Sequence, residues 1–508
     1  VRHKLFSVKT PSIKRELRIK DKELRERMSE ALAEQFGNET AQLLAKWDPY
    51  DQNTSSPFFD TEWMFDISNG FDIVIGNPPY IQMQKDGGFL ANLYKNQNFE
   101  TYERTGDIYA LFYENGIKLL KTKGNLNYIT SNKWMRSNYG ESLREFFIKY
   151  NPLKLIDLGA DVFENATVDT NIIIVTKNKN RNNCIALDLT KQKKISNFEQ
   201  FAENWMPLKN LSKETWAILS PIENTIKQKI EKIGKPIKKW DININYGIKT
   251  GFNEAFIIDT ATKEKLCQED PKSAEIIKPI LRGKDIKKYR ANWAGLWLIA
   301  THNGYKENDK RISRIDVENY PAIKKHLDQY LPQLIRRQDK GDTPYNLRNC
   351  AYMGDFEKEK IVWKAMGLDS DFTYIKYSMF TNDKGNFLTS LSKKINIKYI
   401  LAYFNSKLFL WQYSKQGVNM GSGFEFKVNF VEQIHIPEIS ESAQIPYITI
   451  VNQIIEGKKS GLETIDLEQQ IDILIYKLYD LTYDEVLVFE PEFAERMSRE
   501  EYEILKVE

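Results

Sequence analysis

The sequence predicts an α/β fold with a mostly parallel sheet, followed by an α+β region and a helical tail. Runs of strand-forming residues alternate with amphipathic helical segments between residues 71 and 177, an alternation that is typical of parallel sheets. A strand-rich region with interleaved aromatic and basic residues extends to about residue 440, and helical periodicity returns over 445–507. These three patterns predict the fold class.

The first strand of the predicted sheet is an apolar run over residues 71–76, which ends at Asn77, Pro78, Pro79 and Tyr80. Because proline cannot continue a strand ladder, we interpret the run as a buried strand that opens into a rigid loop. Open α/β sheets bind ligands at the carboxyl ends of their strands. The sequence therefore predicts a functional loop at this position.

The loop residues suit chemistry on the exocyclic amino group of a nucleobase, which is a poor nucleophile because its lone pair is delocalised into the ring. The Asn77 side-chain oxygen and the Pro78 carbonyl could both accept hydrogen bonds from that amine and make its nitrogen more nucleophilic. Proline fits because only its carbonyl is needed. Tyr80 could stack on a base swung out of the duplex. The alternative interpretation is an ordinary strand followed by an Asn-Pro-Pro turn.

The segments after this loop alternate between helix and strand. Helices are predicted over 106–120 and 139–150, and strands over 125–130 and 153–158. The polar stretch 82–105 is predicted to be a loop that could close over an extruded base.

The amino-terminal segment, residues 7–50, is predicted to be helical and is rich in Lys, Arg and Glu. It presents either a solvated helical face or a basic arm that touches DNA phosphate.

Bulk properties argue against several classes of protein. No run of about eighteen apolar residues and no apolar signal core is present, so we expect no membrane partner and a cytoplasmic location. The three cysteines are widely spaced, which argues against a disulfide framework or a zinc site. The four histidines have no metal spacing, so we predict no metal site. Since the net charge is only +3, any affinity for nucleic acid must come from local patches.

The Asn-Pro-Pro-Tyr loop resembles the catalytic motif of the N6-adenine DNA methyltransferases. The order of the blocks over residues 60–177 is similar to the later half of that family's catalytic domain, so the resemblance implies a partial Rossmann-like methyltransferase sheet. It implies a catalytic role for each of the four loop residues, namely Asn77, Pro78, Pro79 and Tyr80.

Two further aromatic residues match positions of the same family. Phe163 matches the position that stacks beside the flipped adenine, together with Tyr80. Phe112 matches the aromatic residue that lies against S-adenosylmethionine, and Asn77 would also contact this methyl donor. Core packing is the alternative interpretation of Phe112.

One element of the resemblance is missing. In that family the donor site begins with a Phe-x-Gly-x-Gly-like turn, and no such stretch precedes residue 71. The single Gly-x-Gly, at 421–423, is interpreted as a loop. The sequence also opens without Met. We therefore expect an incomplete S-adenosylmethionine site in the carboxyl-terminal portion of a longer protein, whose amino-terminal half is missing or supplied by a partner chain.

Basic and polar residues cluster in two stretches of the predicted α+β region, 246–256 and 281–286. These stretches resemble the target-recognition domain of such methyltransferases, especially of type IIG restriction-modification enzymes, and so imply double-stranded DNA as the partner. A solvated basic face is the alternative. The predicted DNA-binding residues are Lys249, Thr250, Asn253, Arg282, Lys284, Lys287 and Lys288.

The predicted organisation has four parts. They are a helical basic segment (1–57), the carboxyl-terminal half of a methyltransferase catalytic domain (58–180), a target-recognition domain (181–440) and a helical carboxyl-terminal segment (441–508).

The leading hypothesis is site-specific DNA adenine-N6 methylation, with S-adenosylmethionine as donor, in a restriction-modification or phage-defence system. The alternative is a DNA sequence-recognition module that has no catalytic activity on its own. A third hypothesis adds an endonuclease outside this chain.

Overall fold

The computed structural model describes most of the 508 residues. Among the described residues, no helix is both long and apolar enough to cross a membrane. The described residues are 1–36, 46–51, 53, 56, 59–160, 162–163, 168–190, 192, 198–307, 309–392, 394–416, 418–420 and 423–505.

The first 210 residues form helices around one sheet. The helices are α1 (Arg2–Ser7), α2 (Pro11–Phe36), α3 (Thr61–Phe65), α4 (Phe89–Tyr94), α5 (Tyr109–Leu119) and α6 (Glu141–Ile148). The strands are β1 (Phe71–Gly76), β2 (Leu120–Ser131), β3 (Asn151–Gly159), β4 (Thr170–Thr176), β5 (Cys184–Asp188) and β6 (Met206–Leu208).

The six strands form a single sheet in the order β1-β2-β4-β3-β5-β6, and β1 pairs with β2 in parallel. Helix α5 precedes β2 and packs closely on it. A Cβ atom added to Gly116 would lie 2.5 Å from a methyl group of Leu126, so a larger residue here would require that side chain to move. The prediction of an α/β fold with a parallel strand pair is confirmed.

The prediction that residues 71–76 form a buried strand is only partly correct. These residues form β1, but β1 lies at the edge of the sheet, and Ile73 and Ile75 are 60% and 80% exposed. An apolar run is typical of a strand covered on both faces, but the pattern carries no information about which element covers it. Among the described residues, β1 therefore has an uncovered apolar face and one edge without a strand partner.

The polar stretch 82–105 is not a simple loop, because it contains α4. Ala91 of this helix and Met83 before it are buried against Ile108 and Leu111. This small apolar cluster fixes the segment that follows the predicted functional loop.

The amino-terminal segment is helical in α1 and α2, as predicted, while residues 37–45 lie outside the described residues.

The rest of the chain contains more helices and many short strands. The helices are α7 (Pro221–Ile233), α8 (Asn253–Phe256), α9 (Thr260–Glu269), α10 (Pro321–Asp328), α11 (Leu331–Arg336), α12 (Ile397–Phe404), α13 (Lys407–Gln416), α14 (Val428–Val431), α15 (Glu441–Ser460), α16 (Ile465–Leu478), α17 (Tyr483–Leu487), α18 (Phe493–Arg496) and α19 (Arg499–Ile504). The strands are β7 (Lys235–Pro236), β8 (Ile242–Tyr246), β9 (Ile257–Asp259), β10 (Ile277–Leu281), β11 (Ile286–Lys287), β12 (Arg290–Ala291), β13 (Leu296–Ile299), β14 (Tyr305–Glu307), β15 (Lys310–Ile312), β16 (Lys360–Lys364), β17 (Met366–Gly367), β18 (Phe372–Ile375), β19 (Phe380–Thr381), β20 (Gly385–Ser390), β21 (Val418–Met420), β22 (Gly423–Glu425) and β23 (His435–Ile436).

Two four-stranded sheets organise this region, in the orders β18-β16-β20-β8 and β19-β10-β13-β9. Strand β16 connects two cores, because successive side chains of a strand point to opposite faces. Trp363 packs in one core with Ile475 and Tyr476 of α16, whereas Val362 packs in the other core with Leu298 of β13. The predicted α+β region and the predicted helical tail are confirmed, and the tail packs against this region through Ile475 and Tyr476.

The chain divides into two compact units. The first unit comprises Val1–Thr130, Phe146–Leu155 and Ile172–Cys184, and the second comprises Ser131–Glu145, Ile156–Asn171 and Ile185–Glu508. The domain limits predicted at residues 57, 180 and 440 stay predictions.

Candidate active site

The 77–80 loop follows β1 at the edge of the sheet where two parallel strands end. Gly76, the last residue of β1, lies opposite Tyr128 of β2. Because the carboxyl ends of parallel strands meet at one edge, the loop lies beside the last residues of β2, which include Ile129 and Thr130. The sequence predicts a loop at the carboxyl end of a strand, and the parallel pairing of β1 with β2 agrees with this prediction.

Within the loop, the side chain of Asn77 is held by the hydroxyl group of Tyr80. Asn77 is exposed, Pro78 is buried, Pro79 is exposed and Tyr80 is half-buried. The Tyr80 hydroxyl donates a hydrogen bond of 2.9 Å to Asn77 Oδ1 and lies 3.4 Å from the carbonyl oxygen of Ile129. A carbonyl oxygen has two lone pairs, so Asn77 Oδ1 can accept a second hydrogen bond from a ligand.

Asp107 fixes the position of the chain directly after the loop. Its carboxylate accepts a hydrogen bond of 2.8 Å from the backbone N–H of Ile81, and the N–H of Ile108 donates to the Ile81 carbonyl at 3.0 Å. Asp107 was not among the predicted site residues. Its position at the start of the predicted helix 106–120 was the available signal, because aspartate near the start of a helix accepts backbone hydrogen bonds.

Aromatic rings behind the loop restrict Tyr80 further. The Tyr80 ring meets Tyr109 edge-to-face at 6.3 Å, and Tyr113 is hydrogen-bonded to Thr130 Oγ1 at 2.8 Å. Burial raises the pKa of Tyr80 to about 12, and the negative charge of Asp107 adds to the shift. The phenol is therefore neutral at physiological pH and acts as a hydrogen-bond donor rather than as a base.

Phe112 lies on α5, close to the loop in sequence, but it does not belong to the core. It is 39% exposed, whereas its neighbours Leu111 and Tyr113 are buried. Packing in the core was the alternative interpretation of Phe112, and it does not explain why this ring is exposed. An exposed aromatic face is available to a flat ligand in the first unit.

Two family matches cover separate parts of the chain. Residues 8–163 match the Eco57I restriction-modification methylase family, and residues 278–436 match the TaqI-like C-terminal specificity domain. The chain therefore contains one region similar to restriction-modification methylases and a second region similar to a specificity domain. The 77–80 loop and Phe112 both lie within the first of these regions, in agreement with the resemblance drawn from the motif.

Curated relatives include methyltransferases and a bifunctional enzyme. The chain is 21% identical over 459 residues to the type II methyltransferase M.BstVI of Geobacillus stearothermophilus, which covers 84% of this chain and 76% of that protein. It is 29% identical over 204 residues to RM.Eco57I of Escherichia coli, a type II restriction enzyme and methyltransferase, which covers 38% of this chain and 20% of that protein.

A solved structure shares the fold. The type IIL restriction-modification enzyme MmeI, determined in complex with DNA, aligns with a TM-score of 0.57 and 11% identity. The alignment covers 85% of this chain and 57% of MmeI, so this chain spans little more than half of that enzyme. At this identity the likeness shows the fold alone.

The region around the 77–80 loop exposes both residues that were predicted to contact S-adenosylmethionine. Phe112 offers an exposed ring and Asn77 an exposed amide, but no glycine-rich turn precedes β1 in the sequence. The residues present therefore do not by themselves fit the whole donor. Phe163, the second predicted stacking residue, is half-buried, and residues 164–167 beside it lie outside the described residues.

Three of the predicted DNA-binding residues surround the turn after β8. Lys249 Nζ lies 2.7 Å from an Asp339 carboxylate oxygen, and Thr250 is buried and donates to Asn253 Oδ1 at 2.7 Å. These contacts hold the turn in one conformation. The side chains of Thr250 and Asn253 are thereby used at least partly within the protein.

The other four predicted DNA-binding residues lie between β10 and β12. Arg282 forms a two-point contact with Asp285, at 3.0 and 2.8 Å, and Lys288 Nζ lies 2.9 Å from Glu468. Lys284 and Lys287 are exposed. The contacts of Arg282 and Lys288 stabilise the local fold, so Lys284 and Lys287 are better placed to reach a ligand.

Proposed function

We propose that the 77–80 loop is the catalytic loop of an S-adenosylmethionine-dependent DNA methyltransferase that modifies adenine at N6 in a restriction-modification system. The observation that carries this proposal is the exposed Asn77 Oδ1, which Tyr80 orients at the edge where β1 and β2 end. The methylase and specificity matches support the reaction class and DNA as substrate. The proposed site of action is the cytoplasm.

The proposed chemistry rests on hydrogen-bond acceptors rather than on a charged base. Asn77 Oδ1 and the Pro78 carbonyl accept the two N–H groups of the adenine amine, which increases electron density on the nitrogen. S-adenosylmethionine, held in part by Asn77 and Phe112, would supply the methyl group to that nitrogen with its sulfur as the leaving group, and the excess amine proton would pass to water.

The Tyr80 hydroxyl keeps Asn77 in this orientation. Because Asn77 is exposed and only one lone pair of its Oδ1 accepts from Tyr80, the other lone pair is available to the amine. A base must leave the duplex to reach this position, which is the general behaviour of enzymes that modify bases. The Tyr80 ring is the proposed stacking surface for the extruded base.

The donor-binding half of the site is proposed to come from an additional polypeptide segment, either of the same protein or of a partner chain. Support comes from β1, whose Ile73 and Ile75 are 60% and 80% exposed at the sheet edge. An exposed apolar edge strand is a surface that pairs readily with another strand. A segment that adds a strand beside β1 would bring its own residues next to Asn77.

The proposal that an additional segment supplies the donor-binding half is tested by calorimetric titration of S-adenosylmethionine into the purified chain. A DNA-binding assay is run on the same sample. We expect no donor binding and retained DNA binding, because only one side of the donor site is present. Tight donor binding by the chain alone would contradict the need for an additional segment. Loss of DNA binding would contradict the proposed DNA substrate.

A recognition module without catalysis is the second candidate, and the missing glycine-rich turn favours it. The two candidates differ in the activity of the protein purified from its natural source, with any accompanying segment retained. A methyltransferase will label DNA from S-adenosylmethionine, whereas a recognition module will bind DNA without labelling it. Any endonuclease activity is proposed to reside outside this chain.

A further inference from the structure

A cleft in the region similar to a specificity domain lies beside the β14–β15 hairpin, and Lys249 is the one predicted DNA-binding residue among its lining residues. One cavity of about 700 Å³ is lined by the hairpin and by Asn303, and an adjacent cavity of about 390 Å³ is lined by the 347–353 segment and Tyr246. Asn349 lines both cavities. We call this region the hairpin cleft.

The hairpin cleft is rich in positive charge. Two carboxylates also line it, from Asp342 and Asp383, so positive charge is in excess. The cationic lining residues are Lys249, Lys306, Arg311, Arg314 and Arg348.

Four of the five cations form ion pairs, namely Lys249 and Arg348 with Asp339, Lys306 with Asp309, and Arg314 with Asp342. Arg314 lies 3.6 Å from Asp342, and both side chains are about half exposed. Exposed pairs of this kind contribute little free energy and exchange readily for phosphate. Arg311 forms no side-chain hydrogen bond or ion pair with any residue that the structure describes.

Amide groups lie between the cations. Asn303 Nδ2 donates to Asn349 Oδ1 at 2.6 Å and to Asp342 Oδ1 at 3.1 Å. The bond to Asn349 Oδ1 orients the Asn349 side chain, and no residue that the structure describes accepts a hydrogen bond from its NH₂ group. An oriented asparagine amide matches the acceptor and donor edge of adenine in the major groove, and arginine matches guanine.

The wall of the cleft is rigid. The buried Arg337 guanidinium donates hydrogen bonds to the backbone carbonyls of Thr250, Asp339, Pro344 and Asn346. These bonds hold the backbone next to Lys249 and Leu347, which line the cleft, before any ligand binds. A preformed site avoids the entropic cost of ordering loops on binding.

We propose that the hairpin cleft is a DNA-reading site, in which the two-stranded β14–β15 hairpin enters the major groove of a DNA duplex. A major groove admits a two-stranded β-ribbon. Arg311 and Arg314 bind phosphates, while Arg348 and Asn349 contact base edges. This assignment rests on the proposed function, which supplies duplex DNA as the ligand, and extends it to particular residues.

The test compares two double variants of the full chain that lose the same charge. One carries Arg311→Gln and Arg314→Gln, and the other carries Lys265→Gln and Lys325→Gln, which replace cations that do not line the cleft. Binding to random-sequence duplex DNA is measured at several salt concentrations. We expect the arginine variant to lose about 10- to 100-fold in affinity and its salt slope to fall by about two, as loss of two phosphate contacts requires. The lysine variant should change little.

A third variant, Asn349→Ala, tests base reading. Selection of bound duplexes from the random pool should give a motif that is relaxed at one position, with unchanged affinity for non-selected DNA. Equal behaviour of the arginine and lysine variants, or an unchanged motif for Asn349→Ala, would overturn the cleft assignment. If the wild-type chain still bound DNA, the proposed function would remain supported. If the wild-type chain did not bind DNA, both the cleft assignment and the proposed function would be overturned.

Discussion

The Asn77→Ala variant is expected to lose DNA methylation by about 10²- to 10³-fold, the range observed when one hydrogen-bonding group aimed at a reacting atom is removed. The amine nitrogen of adenine becomes nucleophilic only when its N–H groups are bound by acceptors. Without Asn77 Oδ1, one of the two proposed acceptors is absent. Methylation is measured with the protein purified from its natural source and its Asn77→Ala counterpart.

The control for this prediction is Asn92→Ala, which removes another exposed amide, on α4. It should methylate DNA like the wild type. DNA affinity should be nearly unchanged in both variants, because the extruded base is the only part of the DNA that Asn77 contacts in the proposed mechanism. Parallel loss of affinity and methylation in Asn77→Ala would show that the residue has a structural role.

The Arg337→Ala variant is expected to lower the free energy of unfolding of the chain by about 3 kcal/mol or more, because several buried carbonyl groups lose their donor. Arg337 donates to Asp339 and Pro344 at 3.1 and 3.0 Å, and its guanidinium lies 4.5 Å from the centre of the Phe256 ring. Burial lowers its pKa to about 10, so it remains protonated at neutral pH.

The matched control for Arg337 is its neighbour Arg336, which is exposed at the end of α11. Arg336→Ala removes the same side chain and the same charge, but it leaves no buried carbonyl group without its donor. Chemical denaturation should therefore show a large decrease in the free energy of unfolding for Arg337→Ala and a small decrease for Arg336→Ala. Similar losses in the two variants would mean that the carbonyls find other donors or water.

The loop and its position were predictable from sequence because the determining features are local. An apolar run followed by two prolines determines where β1 ends. The helix that follows lets the chain cross over and form β2 parallel to β1. The exposure of Ile73 and Ile75 was not predictable. Apolar residues indicate that a surface is to be covered, but only the three-dimensional arrangement shows whether another element covers it.

The DNA-binding prediction was limited by long-range contacts. Lys288 looked available among neighbouring lysines, but Glu468, 180 residues later, lies 2.9 Å away. The hairpin cleft was missed for the related reason that β14 and β15 are three-residue strands with no clear apolar alternation. Its paired amides, Asn303 and Asn349, are 46 residues apart and meet only in the folded chain.

The measurement that tests the central claim most directly is the identity of the methylated base. Duplex DNA is incubated with the protein from its natural source and labelled S-adenosylmethionine, digested to nucleosides and analysed by mass spectrometry. We expect the label in N6-methyladenine and its loss with Asn77→Ala. Label in a methylated cytosine, or labelled adenine that persists in Asn77→Ala, would contradict the account.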